Sequence, residues 1–396
     1  MRFLSGLFAG VLTLALWLSP ALCDPVVKNP VAVGRAIKEI VDKNFYRPVS
    51  SPTLETPSLS SAAIDEALAG LGASHTHRFQ PDQIVYYEIL DTSKDGLVDP
   101  PTRLFATDGS VVYAGIGMIT QIVGGKRFAT DVYDGSPAAK AGIRFGDEII
   151  AVDGKPYEEI TSFAGEIGKT LPVTVRRSED EAPFDIPVTV ATIWPNEAFV
   201  SAVSSSVHTM QDGGRTIGYI RLWSLSTPQI EDLLRHEISK GRLKDADGLV
   251  VDLRGRLGGR LGKVHELLGD GIDVELVKRG GDTFRGKVVW NKPIVGIVDE
   301  GTRSAMEILA YSMKKEGALL VGKTTAGAVL SGKSYILSDD SLLLLAVADI
   351  LVDGKRLEGV GVSPDIEVEN PLPYAAGADP QLEAAISALR QKLSGL

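Results

Sequence analysis

Apolar positions in VAVGRAIKEIVDKNFY, residues 31–46, recur at helical spacing, and SSAAIDEALAGLGAS predicts a second helix with a Ser cap that ends at Gly70 and Gly72. The Pro- and Ser-rich RPVSSPTLETPSLSS lies between them as a break. From Val111 to about Ile193 the pattern changes to short strands and turns: VVYAGIGMITQIV, RFATDVYDGS, DEIIAVDGKPY and LPVTVRRSEDEAPFDIPVTVATI, with a short helical piece at SPAAKAGI. From Ala198 onward strands and helices alternate. TIGYIRLWSL, DGLVVDLRG, PIVGIVD, ALLVG and SLLLLAVADILV read as strands, and GKVHELLGD and SAMEILAYSMKKEG as helices, the latter closed by Gly317. That succession predicts an α/β core of apolar, mostly parallel strands. No internal repeat of fixed period and no low-complexity tract interrupts it.

The first 23 residues follow a different rule. Arg2 precedes an uncharged apolar run from Phe3 to Leu18, and SPALC ends in small residues at Ala21 and Cys23, the pattern of a cleaved export signal. The run is shorter than the roughly 20 residues a membrane span needs. Removal of the segment is favoured over a lipid anchor on Cys23. Cys23 is also the one cysteine of the 396-residue chain, so the mature protein is expected to have neither a disulfide nor a thiol nucleophile. An apolar fraction of 44% places the chain among globular proteins, and a formal charge of −10 with a pI near 5.2 argues against a nucleic-acid partner. The expected organisation is multidomain α/β: a signal segment 1–23, a small helical N-terminal region 24–110, a β-rich unit 111–195 and an α/β core 196–396.

Three stretches carry candidate chemistry. In YAGIGM two glycines flank an apolar residue at a strand start, where backbone N–H groups can converge on a carboxylate; the simpler reading is a tight turn. VVDLRGRLGG runs a buried strand into a glycine loop at its carboxyl end, where α/β proteins build sites, so Gly258 or Gly259 could offer an N–H to an oxyanion. EGTRSAMEILA places Ser304 at a helix mouth with Glu307 three residues on. A capping box alone explains that pair, yet the same geometry exposes a hydroxyl beside the Ala305 N–H and the positive end of the helix.

YAGIGM followed by DGSPAAKAGIRFGDEIIAVDG closely resembles a PDZ domain of the bacterial protease type. The resemblance implies that Gly115, Ile116 and Gly117 line a groove for a peptide C-terminus. DLRGRLGG, GTRSAMEI and LEGVGVSPDIEVE, with that unit before them, resemble the C-terminal processing peptidases, or tail-specific serine proteases, whose core is a crotonase/Clp-like α/β fold. In that family the serine of G-T-x-S-A-x-E is the nucleophile, and the matching residue is Ser304. The commonest branch places a lysine base in T-x-G-K. Here the stretch is TAGA with Ala328 in the lysine place, which excludes a Ser–Lys dyad at that position. Lys333 and Lys323 read as solvated side chains rather than displaced bases.

A serine near neutral pH still needs a base, and histidine is the natural one. Of five histidines, His236 sits in a charged helix, His208 in a polar stretch and His265 after the glycine loop, while His75 lies in LGASHTHRF. That last stretch resembles the L-x-D-x-H-T motif of the tricorn-like and retinoid-binding-protein-like branch, with Ala73 replacing the motif's Asp. Some proteases of that branch use Ser–His–Glu, which implies His75 as base and Glu358 as its orienting partner, with His77 as the alternative if the register shifts by two.

The expected protein is an exported, periplasmic or extracellular serine endopeptidase acting on polypeptide C-terminal tails. The catalytic set is Ser304, His75 and Glu358, and the oxyanion hole is Ala305 with Gly258 or Gly259. No metal or organic cofactor is expected, since no His/Cys/Asp cluster has ligand spacing. The oligomeric state stays open, a homo-oligomer included. Two alternatives remain: a catalytically inactive PDZ-containing adaptor, and a peptidase that uses Lys333 as base.

Overall fold

The computed structural model describes residues 29–395 except 51–53, 55–58, 99, 256, 261–267, 269–273, 278–281 and 285–289. The signal segment with Cys23, His265 and most of the helix expected at GKVHELLGD lie outside the described residues.

The strands Gly248–Asp252 and Ile294–Val298 are buried at every position because apolar side chains leave both of their faces. They form the centre of a sheet in the order 208–212, 215–221, 248–252, 294–298, 319–322, 366–367; the first pair is antiparallel and the rest are parallel. On one face Leu249 and Val251 pack with the helices Pro195–Ser206, Pro228–Ser239 and Ala305–Lys315. On the other, Val250, Val295 and Ile297 pack against Ala385, Ala388 and Leu389 of the helix Pro380–Ser394. The layered α/β core expected from the sequence is therefore present.

Leu342–Val352 departs from the parallel expectation. This long strand pairs antiparallel with Leu330–Ile336, His77–Phe79, Val274–Val277 and Lys355–Arg356 in a second sheet. Its turns explain the difference: Asp340 before it, and Asp353–Gly354 after it, take positive φ (68°, 49° and 70°), as tight reversals require. The helices Pro30–Asn44 and Ser61–Ala69 pack through Val33, Ile37, Ile64 and Leu68 on Leu343 and Leu345 of this strand. The N-terminal helices thus share a core with the chain's last third.

The β-rich unit is an antiparallel sheet in the order 118–123, 126–132, 148–152, 170–176, 184–189, closed by its own core of Ile116, Met118, Ile149, Val173 and Val175. Its short helix Pro137–Ala141 is capped by Ser136, whose hydroxyl accepts the Ala139 N–H at 3.1 Å, and ends at Gly142 with φ 92°.

Candidate active site

The chain leaves Val298 at the carboxyl end of its strand and turns through Asp299, whose carboxylate accepts the N–H groups of Gly301 (3.0 Å) and Thr302 (2.8 Å). Ser304 then opens the helix Ala305–Lys315 at φ 57°, ψ −123°, a backbone conformation strained for any side chain and one that clusters at functional sites. Glu307 holds this turn. It is fully buried and accepts from the Ser304 N–H (3.1 Å), the Gly327 and Ala328 N–H groups (2.7 Å each) and the Thr325 hydroxyl (2.5 Å). Burial pushes the Glu307 carboxyl above its ordinary value against the pull of those donors. One side chain therefore fastens the serine turn to the whole TAGA stretch. The Ser304 N–H also donates to the Ala328 carbonyl at 2.9 Å, so the position where the commonest pattern has lysine is bonded to the serine's own backbone and carries a buried methyl.

The glycine loop lies against this turn. A Cβ added at Gly258 would stand 2.5 Å from the Ser304 Cβ and 3.1 Å from the Ala305 nitrogen, so only glycine lets the loop approach so closely. Gly259, at φ 129°, is pressed in the same way on the Leu225 backbone. Among the described residues, the Gly258 and Gly259 N–H groups are taken by no other group, since the bonds that hold the loop use the Gly258 carbonyl (2.8 Å from the Leu225 N–H) and the Arg260 N–H (3.0 Å to the Leu225 carbonyl). Ser304, Ala305 and Gly258 are thus brought together as the sequence suggested, and Gly259 flanks them.

His75 and Glu358 are brought to one place but not into contact. Ser74 stands between them: its hydroxyl lies 2.8 Å from Glu358 Oε2 and 3.0 Å from His75 Nδ1, and its N–H donates to Glu358 Oε1 at 3.1 Å. The Val329 N–H completes the carboxylate's partners at 2.7 Å. An ionised carboxylate only accepts, so the Ser74 proton points to Glu358 and the Ser74 lone pair takes the His75 Nδ1–H. That order leaves Nε2 as the unprotonated nitrogen. Glu358, expected as the orienting partner of His75, reaches it through a hydroxyl, and Ser74, the residue just before the histidine in ASHTH, is a contact that sequence reasoning did not include. Its only signal was a small hydroxyl next to a position where the related motif keeps an Asp.

Burial, with the positive charges of Arg303 and then His77, lowers the His75 pKa to about 4. Arg303 immediately precedes Ser304, and the His75 ring rests near Gly332, four residues beyond Ala328, with Cδ2 3.4 Å from where a Cβ of that glycine would lie. The Val329 N–H that bonds Glu358 follows Ala328, whose carbonyl takes the Ser304 N–H, so Glu358 and Ser304 are tied to one stretch of chain, and no hydrogen bond joins His75 to Ser304 among the described residues. His77 is exposed, with Nε2 at 2.9 Å from the Ser74 carbonyl. Lys333 is exposed over the Tyr335 ring, and Lys323 is bound to Glu367 (2.7 Å) and Glu369 (2.6 Å). His208 bonds the Ser206 carbonyl at 2.8 Å, and His236 is exposed on its helix. Among the described residues no group of three or more His, Cys, Asp or Glu side chains could hold a metal ion.

In the β-rich unit Gly115 ends the strand Tyr113–Gly115, and Gly117 takes φ 72° with no room for a Cβ against Ser136. The Ile116 side chain is buried in the unit's core, so only its backbone is placed to meet a ligand. Beside this turn the strand Met118–Val123 is an edge: it pairs with Lys126–Val132 on one side and with no described strand on the other.

Residues 216–368, which hold Ser304, the glycine loop and Glu358, match the model of peptidase family S41, and residues 128–177 match a PDZ domain. Over residues 216–368 the chain is therefore similar to peptidase family S41. Its relatives include the carboxy-terminal processing protease CtpB of Bacillus subtilis, 27% identical over 67% of this chain and 57% of that protein. A tricorn protease homolog of Streptomyces coelicolor is 31% identical over 64% of this chain and 25% of its own length. The chain thus spans only part of the length of these curated S41 relatives. A solved photosystem II D1 C-terminal processing protease shares the fold, with a TM-score of 0.53 and 22% identity over 89% of this chain and 98% of that one.

Proposed function

We propose that this chain is an exported serine endopeptidase that captures protein C-termini through its PDZ domain and cleaves peptide bonds with Ser304, His75 and the Ser74–Glu358 pair. The observation that carries the reading is the hydrogen-bonded line His75–Ser74–Glu358, which the Val329 N–H ties to the stretch that bonds the strained Ser304 turn.

The chemistry follows from that line. His75 Nε2 takes the Ser304 hydroxyl proton as Oγ adds to the scissile carbonyl carbon. The carbonyl oxygen gains the negative charge and meets the N–H groups of Gly258 and Ala305, with Gly259 adjoining. On collapse the C–N bond breaks, the imidazolium returns its proton to the departing amine, and an acyl ester remains on Ser304. Water, deprotonated by His75, adds to that ester and regenerates the serine. Ser74 and Glu358 touch no reacting atom; they hold the Nδ1–H tautomer and balance the imidazolium. The TAGA stretch and the likeness to a tricorn homolog support placement in the tricorn-like branch. The open edge of Met118–Val123 and the Gly115–Gly117 turn support β-strand addition of a tail whose carboxylate sits at the turn. The apolar N-terminal segment supports export, and no described helix is long and apolar enough to cross a membrane.

The separation of His75 from hydrogen-bond contact with Ser304 favours one rival, a PDZ adaptor with an inactive core. Single variants Ser304→Ala, His75→Ala and Lys333→Ala, assayed on an unstructured protein with an apolar C-terminus, decide between them. The proposal expects activity to vanish in the first, to fall by at least about a hundredfold in the second and to persist in the third. No cleavage by the wild-type chain would leave the adaptor.

A further inference from the structure

Beyond its S41 match the chain makes a detour before its last helix. The segment Pro371–Asp379 crosses onto the PDZ sheet, where the Tyr374 N–H donates to the Gly146 carbonyl and the Gly377 N–H to the Phe145 carbonyl, both at 2.9 Å. The Tyr374 ring meets Phe128 edge-on at 5.1 Å, and its hydroxyl lies between Lys126 Nζ (2.8 Å) and Glu148 Oε2 (2.7 Å). Tyr374 and Ala376 both hold left-handed φ (57° and 53°), which persists only where surroundings impose it. The strap ends at Asp379, whose two oxygens take Arg254 Nη1 (2.8 Å) and Nη2 (2.7 Å) in a two-bond fork. The rest of the buried guanidinium is held by Asp252 at 2.6–3.2 Å, and Nη1 also donates to Gln381 Oε1 at 3.2 Å. Arg254 is the residue at which the glycine loop leaves its strand. Its neighbour Leu253 accepts the Thr302 hydroxyl at 3.0 Å, two residues before Ser304.

We propose that Asp379 is a positioning residue for the S41 reaction: by gripping Arg254 it sets the root of the loop that offers the Gly258 N–H, and the strap makes that grip depend on how the PDZ domain is seated. This rests on the peptidase reading above and adds to it a residue outside the matched family region. A fork from a strap pinned at both ends fixes Arg254 in direction as well as in charge, whereas Asp252, on the same strand, moves with the loop it would have to restrain. A displacement of a fraction of an ångström at an oxyanion donor is enough to cost most of its effect.

The test uses the full chain. Asp379→Asn keeps the helix cap, since an Asn oxygen can still accept the Leu382 N–H that Asp379 now takes at 3.0 Å, but it breaks the ionic fork. Expected is a fall in kcat of about tenfold to a hundredfold, with KM for an unstructured protein substrate and the affinity for a fluorescent C-terminal peptide within about twofold of wild type. Asp379→Glu, which restores the charge, should recover part of the loss. Tyr374→Phe, which removes one hydroxyl from the PDZ seat, should lower kcat in the same direction and less. A kcat within twofold of wild type in both Asp379→Asn and Tyr374→Phe overturns the proposal, as does a loss confined to KM. If Asp379→Asn fails to fold, Tyr374→Phe decides alone. Failure of the peptidase reading is separate and visible at once, because the wild-type chain itself would then not cleave.

Discussion

Glu358 and Ser74 are bonded twice across 284 positions of chain, the Ser74 N–H to Oε1 at 3.1 Å and the Ser74 hydroxyl to Oε2 at 2.8 Å. This pair, not either member alone, presents an acceptor to His75 Nδ1. Ser74→Ala therefore leaves the histidine in place and removes what fixes its tautomer. The expected outcome is a kcat lower by about a hundredfold with little change in KM, read from steady-state cleavage. Full activity in that variant would show that the hydroxyl has no part in the reaction.

The His75 environment sets a pH dependence with a definite sign. Burial, then Arg303 and His77, lowers its pKa to about 4 from an ordinary 6.5. Between those values the unfolded chain has taken up a proton that the folded chain refuses. Stability therefore rises with pH from about 4 to 6.5, and the contribution is constant above that. For catalysis the neutral imidazole persists well into acid, so the acid limb of kcat/KM is expected near pH 4 rather than 6.5. Arg303→Met removes one of the charges and should move that limb upward. A wild-type limb near 6.5 would contradict the lowered value and the environment that causes it.

Glu307 makes four hydrogen bonds with no exposure to water. Glu307→Gln turns an amide NH₂ toward backbone donors and leaves at least one of them unsatisfied. A loss of about 2–3 kcal/mol follows, measurable as a lower midpoint in denaturant unfolding.

Gly258→Ala is expected to remove activity without unfolding the chain. The new methyl would have to occupy space 2.5 Å from the Ser304 Cβ, so either the loop or the serine turn moves off its position. Cleavage should fall by at least about a hundredfold while the far-ultraviolet circular dichroism stays that of the wild type.

The sequence was legible where local chemistry decides the outcome. The helix start at Ser304 with Glu307 and the glycine loop at Gly258 were legible as local structure because a cap, a strand end and a glycine are short-range signals. The antiparallel setting of Leu342–Val352 was harder, because an apolar run is equally consistent with a parallel core strand; the Asp-Gly after it was the available clue. Ser74 was missed for another reason. Its hydroxyl bridges to Glu358 only because a carboxylate 284 residues away comes within reach, and no spacing encodes that. The strap at Tyr374 is similar: PLPYAAGAD has no periodicity, and its meaning lies in the surface it crosses.

One consequence follows from the strand His77–Phe79, which among the described residues enters its sheet by pairing with Leu342–Leu344 alone. The segment that carries the proposed base is synthesised early and stays without its partners until nearly the whole polypeptide has emerged. Contacts of such long sequence separation also form slowly. If the chain cleaves others as proposed, the order in which its parts arrive postpones that activity until late in its own synthesis.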